Sequence, residues 1–287
     1  MTKLVAIVGP TASGKSSLAL EVAKLFSGEI ICADSRTLYR GLDIGTAKPT
    51  KSDQSEVPHH LLDVINPDQT YSAAQFKVEA NRLITEIHGR GHLPILVGGS
   101  GLYVYGVLYD YTFPAGANNR LRSQLEQLST EQLIERLESV DPETLETIDQ
   151  ANRRRLIRAI ETAGLPKDKA KLRADSLVIG LKPTQEVLVD RIDRRTEAMI
   201  KAGLIDEIKS VIEIYGRDLE ALKSPGYSEV TQMIDGQIDL AQMTELISLH
   251  TRQLAKRQLT WFKRNPDIEW FEDRSLAEQR VKGWLAD

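Results

Sequence analysis

The chain has 287 residues, 41% of them hydrophobic and 27% charged, ordinary values that leave room for one large domain or a core with a smaller insert. A formal charge of -4 excludes indiscriminate nucleic-acid binding, so an RNA or phosphate partner needs cations gathered locally. One cysteine, Cys32, excludes an internal disulfide and fits a reducing cytosol, and no apolar segment is long enough to span a bilayer.

Leu4-Val5-Ala6-Ile7-Val8 reads as a buried strand rather than a signal peptide. It runs into Gly9-Pro10-Thr11-Ala12-Ser13-Gly14-Lys15-Ser16, which has the phosphate-loop spacing. Leu18, Ala19, Val22, Ala23 and Phe26 then recur at helical spacing. A strand, a glycine turn and a helix start aim backbone N–H groups and a helix dipole at one anion. Lys15 is placed to reach phosphate oxygens, and the Ser16 hydroxyl to ligate Mg²⁺.

A second strand, residues 29–33, stops at Asp34-Ser35. In a parallel sheet Asp34 stands near the anion seat, although Asp-Ser is also a common capping pair. His59-His60 lacks partners at metal-ligand spacing and reads as loop or core. Residues 72–90 form a helix, and 93–97 a third strand ending in Gly98-Gly99-Ser100-Gly101. Glycines replace the acidic residue that a hydrolytic motor carries there. They signal either close approach of a ligand or a tight turn.

Composition shifts at 113–116, and residues 117–164 read as short helices ending in the basic run Arg153-Arg154-Arg155 with Arg158. That run is a solvated face or an RNA contact. Leu177 to Leu181 returns to strand pattern. On the helix from 184 to 202, Arg191, Arg195 and Met199 share a face. The arginines there either pair with Asp190, Asp193 and Glu197 or clamp an oxyanion. The last long helix, 240–264, has no acidic residue after Glu245 but carries Arg252, Lys256, Arg257, Lys263 and Arg264 around Trp261 and Phe262. Such a stretch suits a nucleic-acid backbone, while burial is the expected fate of both aromatics. Residues 268–271 read as an edge strand.

Several of these stretches together resemble the bacterial tRNA dimethylallyltransferases, also called tRNA isopentenyltransferases. They are the phosphate loop, Asp34-Ser35, Tyr39 to Pro49 with its Asp-Ile-Gly-Thr-Ala-Lys-Pro run, Pro58 to Asp63 and Tyr71 to Phe76. Leu93 to Tyr103, Arg195 with Met199 and Gly203-Leu204, and Lys256 to Phe262 complete the likeness, which covers nearly the whole chain. The resemblance implies an α/β fold, a kinase-like P-loop parallel sheet. Residues 1–114 and 176–287, with the C-terminal basic helix, would form the catalytic core, and 115–175 a helical insert contacting tRNA. It implies prenyl transfer from dimethylallyl diphosphate to the exocyclic amine of the adenosine 3′ of the anticodon. The cofactor is Mg²⁺, and a cytoplasmic monomer is expected.

The same resemblance makes Asp34, Ser16 and Arg195 catalytic, with Ser16 the metal ligand and residues Gly9 to Ser16 the diphosphate seat. It places RNA contacts at Asp34, Ser35, Arg36, Thr37, Ser100, Arg122, Arg154, Arg155, Arg158, Gly226, Tyr227, Lys256, Arg257, Gln258, Thr260, Trp261 and Lys263. Ser16 and Ser100 stand where threonine is commoner, which keeps the hydroxyl. Two rivals share the phosphate loop: an ATP-dependent nucleoside or nucleotide kinase, and a non-catalytic nucleotide-switched RNA-binding protein.

Overall fold

The structure, a computed structural model, describes residues 3–111, 113, 119–163 and 171–286; the composition shift at 114–116 lies outside them. In chain order the elements are β1 (Leu4–Val8), α1 (Lys15–Leu25), β2 (Gly28–Cys32), α2 (Lys51–Glu56), β3 (His59–His60), α3 (Ala73–Gly89), β4 (Leu93–Gly98) and α4 (Gly101–Leu108). Four short helices follow: α5 (Asn119–Glu126), α6 (Thr130–Val140), α7 (Pro142–Thr147) and α8 (Arg153–Thr162). The chain then forms β5 (Ser176–Leu181), α9 (Gln185–Lys201), α10 (Leu204–Tyr215), α11 (Tyr227–Ile234), α12 (Leu240–Phe262), β6 (Glu269–Phe271) and α13 (Arg274–Ala286). Two compact units result, residues 1–111 with 172–287, and residues 112–171.

The first unit is built on a sheet of strand order β3-β2-β4-β1-β5-β6, every pairing parallel. β1 lies between β4 and β5 and is covered on both faces, which is why its sequence is apolar without interruption. Alternate residues feed two cores. Leu4, Ala6 and Val8 join Phe76, Ile84, Tyr103, Ile208 and Phe262 on one face. Val5 and Ile7 join Leu18 and Val22 of α1 and Val281 of α13 on the other.

Because the strands run one way, their carboxyl ends share an edge. The phosphate loop after β1, Asp34 after β2 and the glycine turn after β4 are thereby brought together. That glycine turn is packed closely by the protein itself, at the edge of a cavity that it also lines. A Cβ on Gly98 would fall 1.9 Å from the Ala33 carbonyl oxygen, and one on Gly99 2.3 Å from Nε2 of Gln258.

The adjacent histidines belong to β3, the edge strand, and not to a loop. His60 Nε2 lies 2.6 Å from the Glu29 carboxylate, which also meets His92 Nδ1 at 2.7 Å and accepts two hydrogen bonds from Arg90. Burial pushes the Glu29 pKa up, yet the bonds from Arg90, His60 and His92 pull it down to about 2.

The second unit has its own small core, in which Leu125, Leu133, Leu137, Leu156 and Ile160 pack together. Its limits fall a few residues before the expected 115 and 175. Residues 172–175 pack with the sheet: the Leu4 N–H donates to the Asp175 carbonyl at 2.9 Å, and Leu172 lies against the first core.

Candidate active site

The carboxyl edge of the sheet opens into a cavity of about 1220 Å³, lined by the phosphate loop, Asp34 to Thr37, the glycine turn, Arg191 and Arg195. Lys15 donates to the Pro10 carbonyl at 2.8 Å. Burial lowers its pKa from 10.5 to about 8, with Asp34 opposing and Arg195 adding to the drop. Arg195 donates to Thr11 Oγ1 at 3.2 Å and to the Thr46 carbonyl at 3.5 Å. Burial also lowers its pKa, again opposed by Asp34. Two enclosed cations therefore face a single carboxylate, and a multiply charged anion would offset the excess.

Asp34 does both things that its position allowed. Its Oδ1 accepts the Arg36 N–H at 2.8 Å, an Asx-type turn, while the carboxylate lines the cavity and acts electrostatically on Lys15 and Arg195. Cys32 lies beneath it. Burial, then the Asp34 charge, pushes that thiol up to about 12, so it is a core residue and not a nucleophile.

On α9 the arginines divide by face. Arg191 donates to the carbonyls of Ala12 and Ser13, at 3.5 and 3.2 Å, so it braces the phosphate loop, and Arg195 enters the cavity. The surface ion pair is made instead by Arg194, with Asp190 one turn back at 2.9 Å. Asp193 pairs with Arg252 of α12.

α12 reaches the site from the other side of the loop. Oε1 of Gln258 accepts the Thr11 N–H at 2.7 Å, and its Nε2 donates to the Gly99 carbonyl at 3.2 Å. Gln258, expected as an RNA contact, is here a half-buried strut between the two loops that also lines the cavity. Lys256, Arg257 and Thr260 are exposed on the same helix, and Lys263 is exposed just past its end. Phe262 is fully buried as expected, but Trp261 is 43% exposed. Its indole lies against Gly101, where a Cβ would come within 2.3 Å of Nε1.

The other expected RNA contacts are unequally available. Ser100 Oγ accepts the Ser35 N–H at 3.0 Å, and Arg36 donates to the Glu220 carbonyl at 3.0 Å. Thr37 is buried and donates to the Asp34 carbonyl, completing the turn. Gly226 and Tyr227 are buried as well. The Gly226 N–H donates to Glu229 and the Tyr227 hydroxyl to Glu207, so both are tied into the interior, Tyr227 at the wall of the cavity. In the second unit Arg122 and Arg158 both pair with Glu161, while Arg154 and Arg155 are exposed.

For a metal, the described residues contain no cluster of three or more His, Cys, Asp or Glu side chains. The Ser16 hydroxyl faces the cavity at the start of α1, and one hard oxygen fits an ion that takes its other ligands from phosphate and water. Beside it, the Ser13 hydroxyl is buried with no partner in the described chain, a further donor aimed at an anion seat.

Fold and site together define a parallel α/β protein in which the turn after the first strand gathers two buried cations and a carboxylate around one cavity. The chain belongs to the IPP transferase family, whose sequence model matches residues 37–265. The tRNA dimethylallyltransferase of Anoxybacillus flavithermus is 41% identical, over 97% of this chain and 94% of the relative. That of Staphylococcus carnosus is 40% identical, over 94% and 90%. Among solved structures, the tRNA isopentenylpyrophosphate transferase of Bacillus halodurans matches with a TM-score of 0.76 and 38% identity, over 100% of this chain and 97% of that one. A eukaryotic dimethylallyltransferase captured acting on tRNA matches with a TM-score of 0.84 and 25% identity, over 98% and 78%.

Three residues escaped the sequence reading in the roles they have here: Arg191 as a loop brace, Gln258 as a strut, and Glu207, which accepts hydrogen bonds from the backbone at 43–45. Arg191 and Gln258 are named from the sequence for other roles, and Glu207 not at all, because the partners of all three are main-chain groups far away in sequence.

Proposed function

We propose that the chain is a tRNA dimethylallyltransferase, which moves a dimethylallyl group from dimethylallyl diphosphate to the exocyclic amine of the adenosine 3′ of the anticodon. The observation that carries this reading is the placement of Asp34 on the same cavity wall as Lys15 and Arg195. An adenine amine is a poor nucleophile. As its nitrogen bonds to the allylic carbon, the C–O bond to diphosphate breaks and that electron pair leaves with the diphosphate. The nitrogen loses a proton, and the Asp34 carboxylate accepts it. Lys15, the phosphate-loop amides and Arg195 bind the growing negative charge in a site with little water to screen it. Ser16 would hold Mg²⁺, which when bound supplies further charge neutralisation.

The acceptor base has to leave its stack, which costs least in a single-stranded loop. Lys256, Arg257, Thr260 and Trp261 on α12 with Lys263 at its end, and Arg154 with Arg155 in the second unit, supply exposed cationic and aromatic surface for the anticodon arm. Asp34 and the Ser35, Arg36 and Ser100 group line the cavity where the base would enter. The enzyme acts in this reading as a cytoplasmic monomer.

The test supplies unmodified anticodon stem-loop with either dimethylallyl diphosphate or ATP and follows the RNA by mass spectrometry. Gain of one dimethylallyl group on the expected adenosine, from the prenyl donor alone, supports the reading. ATP consumption without prenylated RNA would point to a kinase. RNA binding gated by nucleotide, with no product, would point to a switch protein.

A further inference from the structure

The run from Asp43 to Pro49 is the most distinctive stretch of the sequence, and the chemistry above gives it no part. In the structure it is a compact turn. The Thr46 hydroxyl donates to the Leu42 carbonyl at 2.7 Å, and the Lys48 N–H to the Asp43 carbonyl at 3.0 Å. Lys48 is buried, its ammonium held by the Tyr39 carbonyl and the carboxylates of Asp43 and Asp63. The turn is closed from outside by one side chain. Glu207 Oε2 accepts the N–H groups of Asp43 and Ile44, both at 2.7 Å, while Oε1 accepts the Gly45 N–H at 3.2 Å and the Tyr227 hydroxyl at 3.0 Å. Gly45 permits this, since a Cβ there would lie 2.5 Å from the Tyr227 ring.

Beyond this anchor the turn presents the Thr46 carbonyl to Arg195. Arg195 has two acceptors, from separate loops: Thr46 and the Thr11 hydroxyl of the phosphate loop. The first fixes one Nη and the second the other, so together they set the plane of the guanidinium. Glu207 sits in the first turn of α10, directly after α9, the helix that carries Arg195.

We propose that Glu207 is a positioning residue for Arg195, acting through the turn at 43–46. This rests on the reading that Arg195 receives the departing diphosphate. Four donors on two carboxylate oxygens leave the turn no freedom to slide. Without Glu207 the three amides lose their shared acceptor, the Thr46 carbonyl drifts, and the guanidinium loses one of its two guides. Misplacement of a charge-stabilising group by about 1 Å costs on the order of 100-fold in rate.

The experiment is a double-mutant cycle on Glu207→Ala and Arg195→Ala, read by single-turnover prenyl transfer and by calorimetric binding of inorganic pyrophosphate. Glu207→Ala is expected to lower kcat by about 10–100-fold with KM for the RNA unchanged, and to weaken pyrophosphate binding. In the Arg195→Ala background it should change neither further. Glu207→Gln, which keeps one carbonyl acceptor, should fall between, and it replaces the alanine variant if thermal unfolding shows that one to be unfolded. Losses that multiply in the double variant, or a Glu207→Ala enzyme with full kcat and pyrophosphate affinity, would overturn the assignment. The pyrophosphate arm needs neither prenyl group nor RNA. A coupling seen there in a protein that fails to prenylate RNA would keep Glu207 in this role and remove the proposed reaction instead.

Discussion

Lys15 is held in a state that is poor for the folded chain and good for an anion, and Lys15→Met separates the two. The fall in its pKa from 10.5 to about 8 corresponds to about 3 kcal/mol disfavouring the buried charge, at 1.36 kcal/mol per pH unit. The substitution also deprives the Pro10 carbonyl of its donor, a loss of about 1 kcal/mol. Burial wins, and the ligand-free variant should be more stable at pH 7 by about 2 kcal/mol. That is a rise in Tm of roughly 4–8 °C for a unit of this size. The folded-state pKa lies below the unfolded one, so between pH 8 and 10.5 the unfolded chain binds more protons. Wild-type stability therefore rises across that window and the gap to the variant closes. Thermal unfolding at pH 7, 8, 9 and 10, with and without pyrophosphate, reads all of this. Saturating pyrophosphate should raise the wild-type Tm and leave that of Lys15→Met nearly unmoved. A variant less stable than wild type at pH 7, or a gap indifferent to pH, would refute the view of Lys15 as a cation kept waiting for an anion.

Donor affinity should fall above about pH 8, because Lys15 then loses the charge that meets the diphosphate; a flat affinity from pH 7 to 9.5, measured by calorimetry, would contradict that. Replacing Lys256 and Arg257 by alanine should weaken binding of the anticodon stem-loop and reduce the slope of log K against log salt by about 1.4, whereas an unaltered slope would turn α12 away from the RNA. Glu29→Gln should destabilise the sheet unit by about 1–2 kcal/mol at pH 7, since the buried carboxylate shared by Arg90, His60 and His92 is lost while the half-exposed Arg90 regains water. The Glu29 pKa is lowered on folding, so its contribution is complete above about 4.5 and is lost as the pH falls toward 2. Urea unfolding at pH 7 and pH 3 should therefore show the variant's deficit shrinking in acid, and a constant deficit would count against the pairing.

What could be read without coordinates was mostly what neighbours in sequence determine. β1, the phosphate loop and α1 form one continuous local signal, and their limits fell where the residue pattern put them. The distance of Asp34 from that loop required only that the sheet be parallel, which the two apolar strands imply. Trp261 and Phe262 show where periodicity stops being enough. Adjacent on one helix, they point about 100° apart, so only one can enter the core, and a small residue at Gly101 decides how the other lies. Gly226 and Tyr227 resemble surface contacts in sequence, yet the backbone conformation there (φ 97° at Gly226) turns the tyrosine inward. Glu207 was the hardest to read. Its partners are backbone amides more than 160 residues away, and nothing about a glutamate among others on an amphipathic helix announces them. Arg191 and Gln258 are missed for the same reason, since each bonds to the main chain of the phosphate loop from a distant helix.

The proposed transfer requires Asp34 to take the proton while the cations beside it take the diphosphate. Single-turnover transfer with enzyme, donor and stem-loop preassembled isolates that step from binding. Asp34→Asn keeps an oxygen that can accept the Arg36 N–H and so should retain the fold, with pyrophosphate and RNA affinities close to those of the parent. Its transfer rate should fall by about 100- to 10,000-fold. A variant that binds both ligands and transfers the prenyl group at the parent rate would show that the carboxylate has no part in the reaction.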